Sequence, residues 1–368
     1  MRLIILSSKT GGGHEMRAQS ILDFCNSLEI EAKILRPLEE GSLIYFFGTK
    51  IYNWIQCFYP KLHCFYFRFL EYASMHSSSK KILGKKNFQD QIKSFAPNAV
   101  ISVHAHLNHG FWDLILDMYD KSPPRFMIYS GELDDGFGFS KHWVNPNADL
   151  FCGPSGKTIA AAIQRGMPSY KCKVIGPLLR KPFYQDPDFK KRNSFLKDFG
   201  LNQVLPIGLL ATGANGVNSH EMALQAISKS GINYQVVVLC GKSQKLFEKI
   251  NLISERYNFP IRTVYQLNAD DMCTLMHLSE WVFGRPGAGL TTEALATGTN
   301  IIFDVSKGIM PQEQNNLNYF TNNGQALRIA SKAEQLSMHL KREFNKSSFK
   351  IKLNSKLIKK TILSLVNE

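Results

Sequence analysis

Phe283-Gly-Arg-Pro-Gly-Ala-Gly-Leu-Thr-Thr-Glu293, followed by Pro311-Gln-Glu-Gln-Asn-Asn316, is the stretch that decides the fold. A short apolar run, Trp281 to Phe283, leads into it. An amphipathic helix from Leu290 to Thr297 and a second apolar strand, Asn300 to Asp304, come next. Strand, glycine turn, helix and strand in that order are the unit of a parallel, doubly wound α/β sheet. Gly287 and Gly289 let backbone N–H groups approach an anion closely, and the positive end of the helix dipole adds to that pull. Gly287, Ala288, Gly289 and Leu290 therefore form a candidate diphosphate cradle. Glu293 is expected about one helical turn further in, where a carboxylate accepts hydrogen bonds from ribose hydroxyls. Gln312, Glu313 and Asn316 suit the hydroxyls of a sugar. The glycines alone fit an ordinary turn equally well; the acid on the helix and the Gln-Glu-x-x-Asn cluster favour a nucleotide-sugar site.

The same alternation runs through the whole chain of 368 residues, long enough for two domains of ordinary size. In the first half, strands are expected at Leu3 to Leu6, Ala32 to Leu35, Ala99 to Val103, Arg125 to Tyr129, Asp149 to Cys152 and Lys173 to Ile175. Pro177 to Asp198, with its prolines and charges, reads as a linker. A second series then begins at Leu205. The expected domains are 1–178 and 179–368, with a terminal helix over 353–366 that crosses back to the first. Formal charge is +14, which attracts nucleic acid or an anionic membrane without choosing between them. No RNA-recognition, zinc-finger or helix-turn-helix pattern accompanies it, so no nucleic-acid partner is expected. Cysteines 25, 57, 64, 152, 172, 240 and 273 are scattered without a Cys-x-x-Cys pair, which argues for reduced thiols in a cytoplasmic compartment and against a metal knuckle. Met1 to Leu6 is too short for a signal sequence.

Candidate chemistry in the first half gathers at strand ends. Ser7-Ser-Lys-Thr-Gly-Gly-Gly-His14 joins a strand to a helix expected from about Glu15, so Gly12 and Gly13 line a candidate anion or acceptor pocket. His14 is a candidate base or phosphate ligand. His104, His106 and His109 follow the Ala99 strand, without the acidic partners of a zinc motif. Glu132, Asp134 and Asp135 follow the Arg125 strand and are all candidates for the catalytic base or its orienting partner; a solvated acidic turn is the plain alternative. Leu43 to Tyr72 is dense in aromatic residues, and Lys80, Lys81, Lys85 and Lys86 follow. Pro60 and interspersed charges deny it the ~20 continuous apolar residues of a spanning helix, so an interfacial helix on anionic lipid is expected.

Together these motifs resemble the monogalactosyldiacylglycerol synthase and processive diacylglycerol glucosyltransferase family, relatives of the N-acetylglucosaminyltransferase of peptidoglycan precursor synthesis. The Phe283 to Asn316 stretch resembles its donor-sugar signature, and Gly11-Gly-Gly-His14 its Gly-Gly-Gly-His-Arg-x-x-Ala entry. His104 and His109 match an Ile-Ser-x-His-Pro-x-x-x-His segment. Tyr129 to Asp135 occupies the region of a Thr-Asp-Leu or Thr-Asp-Tyr motif, and Trp143 matches a tryptophan further on. Leu209-Leu-Ala-Thr-Gly213-Ala-Asn-Gly216 keeps Gly213 and Gly216 but carries Thr212 and Ala214 where the family is richer in glycine. Val236 to Gly241 resembles a strand end near the uridine, and Leu267-Asn268 a turn that offers backbone groups to uracil. Arg285 either faces the diphosphate or makes a surface salt bridge.

The resemblance implies the GT-B architecture, two Rossmann-like domains facing across a cleft. It implies an inverting transfer of a hexose from a UDP-sugar to a lipid hydroxyl, most simply diacylglycerol, by a peripheral enzyme on the cytoplasmic face of a membrane. His104, His109 and Trp143 would lie on the acceptor side. No cofactor and no metal are expected, since Asp186-Pro-Asp188 lies in the linker rather than at a strand end. A UDP-sugar epimerase of the same fold, or a non-catalytic nucleotide-sugar or lipid-binding subunit, are the rival readings. Glucose and galactose donors are not distinguished.

Overall fold

A computed structural model describes residues 1–58, 60–74, 76–185, 192–212, 216, 218–323, 326–344 and 350–367. The chain forms two compact units. The first comprises Met1–Arg180 with Met310–Tyr319 and Leu353–Glu368; the second comprises Lys181–Ile309 with Phe320–Lys352. The switch after Arg180 lies two residues beyond the expected boundary. Residues 310–319, expected with the second domain, cluster with the first unit.

The first unit is built on a six-stranded parallel sheet in the order β2-β1-β3-β4-β5-β6. Its strands are β1 (Arg2–Leu6), β2 (Glu31–Leu35), β3 (Ala99–Ser102), β4 (Arg125–Tyr129), β5 (Leu150–Gly153) and β6 (Cys172–Val174). Its helices are α1 (Gly12–Asn26), α2 (Pro37–Glu40), α3 (Leu43–Phe58), α4 (Pro60–Ala73), α5 (Lys85–Phe95), α6 (Gly110–Leu116) and α7 (Gly156–Gln164). Leu3, Ile4, Ile5 and Leu6 are all fully buried, as a central strand covered by helices on both faces demands. Leu6 pairs with Ser102 on β3 and Leu35 on β2, so the loops leaving these strands emerge on one edge. Ser155 accepts the Thr158 N–H at 3.1 Å and so caps the start of α7.

The second unit repeats the plan in the order β12-β11-β10-β7-β8-β9, again all parallel. It contains α8 (Arg192–Asp198), β7 (Ile207–Leu210), α9 (His220–Ser230), β8 (Gln235–Leu239), α10 (Gln244–Ser254), β9 (Ile261–Val264), α11 (Ala269–Leu278), β10 (Ser279–Gly284), α12 (Ala288–Thr297) and β11 (Asn300–Asp304). After α13 (Pro311–Asn322) come β12 (Ile329–Ala330) and α14 (Ala333–Leu340). Val236, Val237 and Val238 are fully buried, as is Trp281 on the neighbouring face. The terminal helix α15 (Ser355–Asn367) packs on α1 and β4, burying Ile358, Ile362, Leu365 and Val366.

Two local expectations change. The first helix begins at Gly12 rather than near Glu15, because Gly11 takes the sharp turn at φ +80°, leaving His14 on the helix's first turn. Part of the expected linker is ordered into a short turn, Lys181–Tyr184, and α8. The Asp186-Pro-Asp188 reading falls outside the described residues.

Candidate active site

In the first unit the ends of β1, β3 and β4 bring one polar cluster together. His14, on the first turn of α1, donates from Nδ1 to the Val103 carbonyl at 2.7 Å. A carbonyl only accepts, so this bond fixes the tautomer and leaves Nε2 with its lone pair. The His104 ring stands edge-on to it at 4.5 Å, with its own Nε2 bonded to the Thr10 hydroxyl at 2.8 Å. Trp143, buried, lies 6.2 Å from His14 between ring centres. Burial, with the Arg17 guanidinium adding to it, lowers the His14 pKa to about 4.

Among the three candidate acids the structure separates roles. Asp135 is ion-paired with Arg165 at 2.8 Å, just beyond α7. Asp134 accepts the Asp135 N–H at 2.8 Å and lies 4.0 Å from Lys157 Nζ on the same helix. Both carboxylates thus have partners in the β4 turn or on and just beyond α7. Glu132 differs: its carboxylate bonds to the Trp143 side chain and lies near Arg17. Burial raises its pKa to about 7 against the opposing pull of Arg17 and Trp143. Arg17 is itself buried and donates to the Gly131 carbonyl at 3.0 Å. A Cβ at residue 131 would stand 1.8 Å from its guanidinium carbon, so any larger residue there would displace Arg17 from this position. Arg17 and Thr10 were not among the candidates from sequence. Arg17 lies three residues after His14 on one helix, and that spacing was the available signal.

His14 and His104 also begin a larger group. His106 lies 5.8 Å from His104, 5.5 Å from His76 and 4.9 Å from His142, and His142 lies 6.2 Å from His109. Both ring nitrogens of His76, Nδ1 of His104 and His106, and Nε2 of His142 are buried without a partner among the described residues. Burial is the first cause that lowers each of these six pKa values, to about 4 for His14 and His76. The folded cluster is therefore neutral near pH 7.

The second unit carries the expected donor elements. No side chain caps the first turn of α12 among the described residues. A Cβ on Gly287 would meet no described atom within 4 Å, so that helix end is open to an anion. Glu293 is buried one turn further in. Arg285 is buried and donates to the Gly308 carbonyl at 3.0 Å. Gly213 and Ala214 lie outside the described residues. The Thr212 hydroxyl turns inward, bonding to His220 Nε2 at 2.9 Å and to the Leu239 carbonyl. His220 is a buried residue that the sequence did not single out. Gly241 follows the end of β8 at φ +59°. Asn268 caps α11 by accepting the Asp271 N–H at 2.8 Å, and its backbone carbonyl accepts the Met272 N–H at 3.1 Å.

In residues 310–319 of the first unit, the three sugar candidates are differently employed. Glu313 accepts the Met310 N–H at 2.9 Å, a bond that closes the start of its own helix. Gln312 donates to the Tyr52 hydroxyl at 3.4 Å, and Asn316 is buried. Asn315, not a sequence candidate, has its amide between the Asp135 carbonyl and the Phe139 N–H; the amide orientation that satisfies both donates to the former at 3.3 Å and accepts from the latter at 3.2 Å.

The histidine group sets a pH dependence of stability. Each folded pKa is lowered below the ordinary value of 6.5, so between those values the unfolded chain binds protons that the folded chain does not. Stability that is full above about pH 6.5 is lost as pH falls toward 4. His76→Phe removes one titrating ring and no hydrogen bond seen here. Urea unfolding across that range should show a shallower fall with pH than in the wild type; an equal slope would remove His76 from the account.

Residues 212–367 match the glycosyltransferase family 28 C-terminal domain. The chain is 22% identical over 336 residues to a processive diacylglycerol beta-glucosyltransferase of Bacillus pumilus, covering 89% of this chain and 83% of that one. It is 23% identical over 349 residues to a probable chloroplastic monogalactosyldiacylglycerol synthase of Nicotiana tabacum, covering 88% of this chain and 61% of that one. Among solved structures, Acinetobacter baumannii MurG superposes with a TM-score of 0.54 at 12% identity, over 100% of this chain and 95% of that one. The UDP-GlcNAc 2-epimerase of Methanocaldococcus jannaschii superposes at 0.59 and 11% identity over the full length of both. Two parallel six-stranded units of this kind, the second carrying that domain, make the chain a glycosyltransferase of GT-B architecture, similar to the diacylglycerol glycosyltransferases.

Proposed function

We propose that the chain moves a hexose from a UDP-sugar to a lipid hydroxyl, diacylglycerol in the first instance, with inversion at the anomeric carbon. The observation that carries this reading is a half-buried carboxyl, Glu132, held by Trp143 beside the neutral His14 at the strand ends of the first unit. The named activities of the bacterial and plant relatives supply the acceptor. A general base works best when its pKa lies near the working pH, and Glu132 at about 7 meets that condition better than His14 at about 4. In this scheme Glu132 takes the acceptor's hydroxyl proton as its oxygen forms the new bond to the anomeric carbon. His14 Nε2 orients the acceptor. The bond from that carbon to the β-phosphate oxygen breaks, and UDP leaves with the electron pair. Within the second unit, the N-terminus of α12 suits the charge of a departing diphosphate. No cofactor takes part in the scheme.

The lipid surface has its own support. Leu43, Ile44, Phe47, Ile51 and Trp54 are exposed at helical spacing along α3, as are Phe65, Phe69 and Tyr72 along α4. Lys80, Lys81, Lys85 and Lys86 are exposed just beyond them. Among the described residues no helix is long and apolar enough to cross a membrane. Exposed apolar helix faces flanked by base suit docking on an anionic leaflet.

Three measurements test the reading. Glu293→Ala should weaken UDP binding roughly tenfold to a hundredfold, the cost of hydrogen bonds to a charged group; unchanged calorimetric affinity in a folded variant removes Glu293 from the ribose. With UDP-glucose or UDP-galactose and diacylglycerol vesicles, kcat/KM should rise with pH through an apparent pKa near 7, the Glu132 value. Glu132→Gln should lose turnover by about 10²–10⁴-fold with UDP affinity kept. A profile that instead rises near 4 makes His14 the base. Failure of the wild type to glycosylate any lipid, with UDP-sugar turned over to an epimer, overturns the transfer reading. Reversing the four lysines should weaken sedimentation with anionic vesicles by about 1 kcal/mol per residue, and with neutral vesicles much less; equal wild-type binding to both kinds refutes the electrostatic part.

A further inference from the structure

The α3–α4 hairpin has a second side, and it grips the catalytic loops. On α4, one oxygen of Glu71 accepts from the Ser140 hydroxyl and the other from the Lys141 N–H at 3.0 Å. One residue back, the Leu70 carbonyl accepts from the His142 ring. Phe67 meets Phe137 edge-on at 5.5 Å, and Arg68 lies over the same ring at 5.1 Å. On α3, Asn53 donates to the Lys9 carbonyl at 3.2 Å, in the loop that leads to His14. Ser140 in turn caps the short turn Lys141–Trp143 by accepting the His142 N–H at 3.1 Å. That turn delivers the Trp143 side chain to Glu132.

We propose that Glu71 is a positioning residue: from the helix pair whose outer face is exposed and apolar, it holds the 140–143 turn so that Trp143 fixes the Glu132 carboxylate. The inference rests on the reading of Glu132 as the base. Glu71 is placed to touch neither substrate nor the reacting atoms; it acts through one bond from the Ser140 hydroxyl, one from the Lys141 N–H, and the Trp143 side chain. Because the same helices carry the exposed face, a surface that binds α3 and α4 acts on the orientation of the base through Glu71. Misplacement of a reacting group by ~1 Å costs up to about 10²-fold in rate, so a carboxylate remote from the reaction suffices to matter.

The test compares full-length wild type, Glu71→Gln, Trp143→Phe and the double variant. Glu132 is followed directly, by the infrared band of its protonated carboxyl, identified by its loss in Glu132→Gln. The Trp143 bond favours the charged carboxylate, so releasing it should raise the midpoint of that band by about one pH unit, the effect of one hydrogen bond to a charged group. Glu71→Gln should show this rise, together with a roughly tenfold or greater fall in kcat and little change in KM for the UDP-hexose. The double variant should be no worse than Trp143→Phe alone, since both substitutions break one linkage. An unchanged Glu132 midpoint in folded Glu71→Gln overturns the proposal, as do losses that multiply in the double variant. Where Glu71→Gln fails to fold, Ser140→Ala, which removes only one of the two contacts, is read in the same way. A wild type that transfers no hexose to lipid refutes the proposed function instead, and the infrared midpoint still decides the role of Glu71.

Discussion

The bond from His14 Nδ1 to the Val103 carbonyl joins the chemistry of the first unit to its sheet. Val103 continues β3, and its N–H bonds to the Leu6 carbonyl at the end of β1. The parallel register of β1 on β3 therefore brings the loop after one strand against the end of the other. With the tautomer fixed, Nε2 faces the cluster as an acceptor, and the ring settles between His104 and Trp143. Glu132 arrives from the end of β4, the next strand in the sheet. Three adjacent strand ends thus supply the whole constellation, in keeping with the tendency of parallel sheets to bind ligands beyond their carboxyl ends.

This arrangement works against stability. A buried imidazole with an unpartnered nitrogen forgoes a hydrogen bond it had in water, a cost of about 1–3 kcal/mol for a buried polar group. His76, His104, His106 and His142 each contain at least one such atom. Packing offsets part of it: His76 stacks near Phe111 and meets Tyr45 edge-on, both in the core. Neutral rings also let Arg17 remain the principal cation beside Glu132, which it pulls toward the charged form. The carboxyl is held near neutrality by burial opposed by one cation and one indole donor, a balance sensitive to small movements of either.

The strands and their parallel order were readable because each is a short, branched apolar run between glycine or polar turns. Asn300–Asp304 falls where its apolar run put it. The choice among Glu132, Asp134 and Asp135 was not readable. All three lie in one turn after β4, and what separates them comes from far along the chain: Arg17 over a hundred residues earlier, Trp143 from the next turn, and Arg165 beyond α7. Local pattern carries no information about such partners. The Phe283 to Asn316 motif was legible as a sequence but not as one body. Phe283 to Glu293 belongs to the second unit and Gln312 to Asn316 to the first, while Glu313 closes its own helix.

The aromatic stretch shows the same limit in another form. Its composition announced an apolar helix pair, but composition does not say which residues face out. In the fold, Tyr45 and Ile55 go to the interior, while Leu43, Ile44 and Phe47 stay in water. Exposed apolar area forgoes roughly 25 cal/mol per Å² relative to burial, and a contiguous face of this kind on a folded chain generally marks a binding surface. The polar contacts of Asn53 and Glu71 lie on the same two helices. This helix pair thus has apolar residues outside and, inside, hydrogen bonds to the loops that lead to His14 and Trp143. Whatever relieves the outer face also selects among positions of the inner one, to the extent that it binds them unequally.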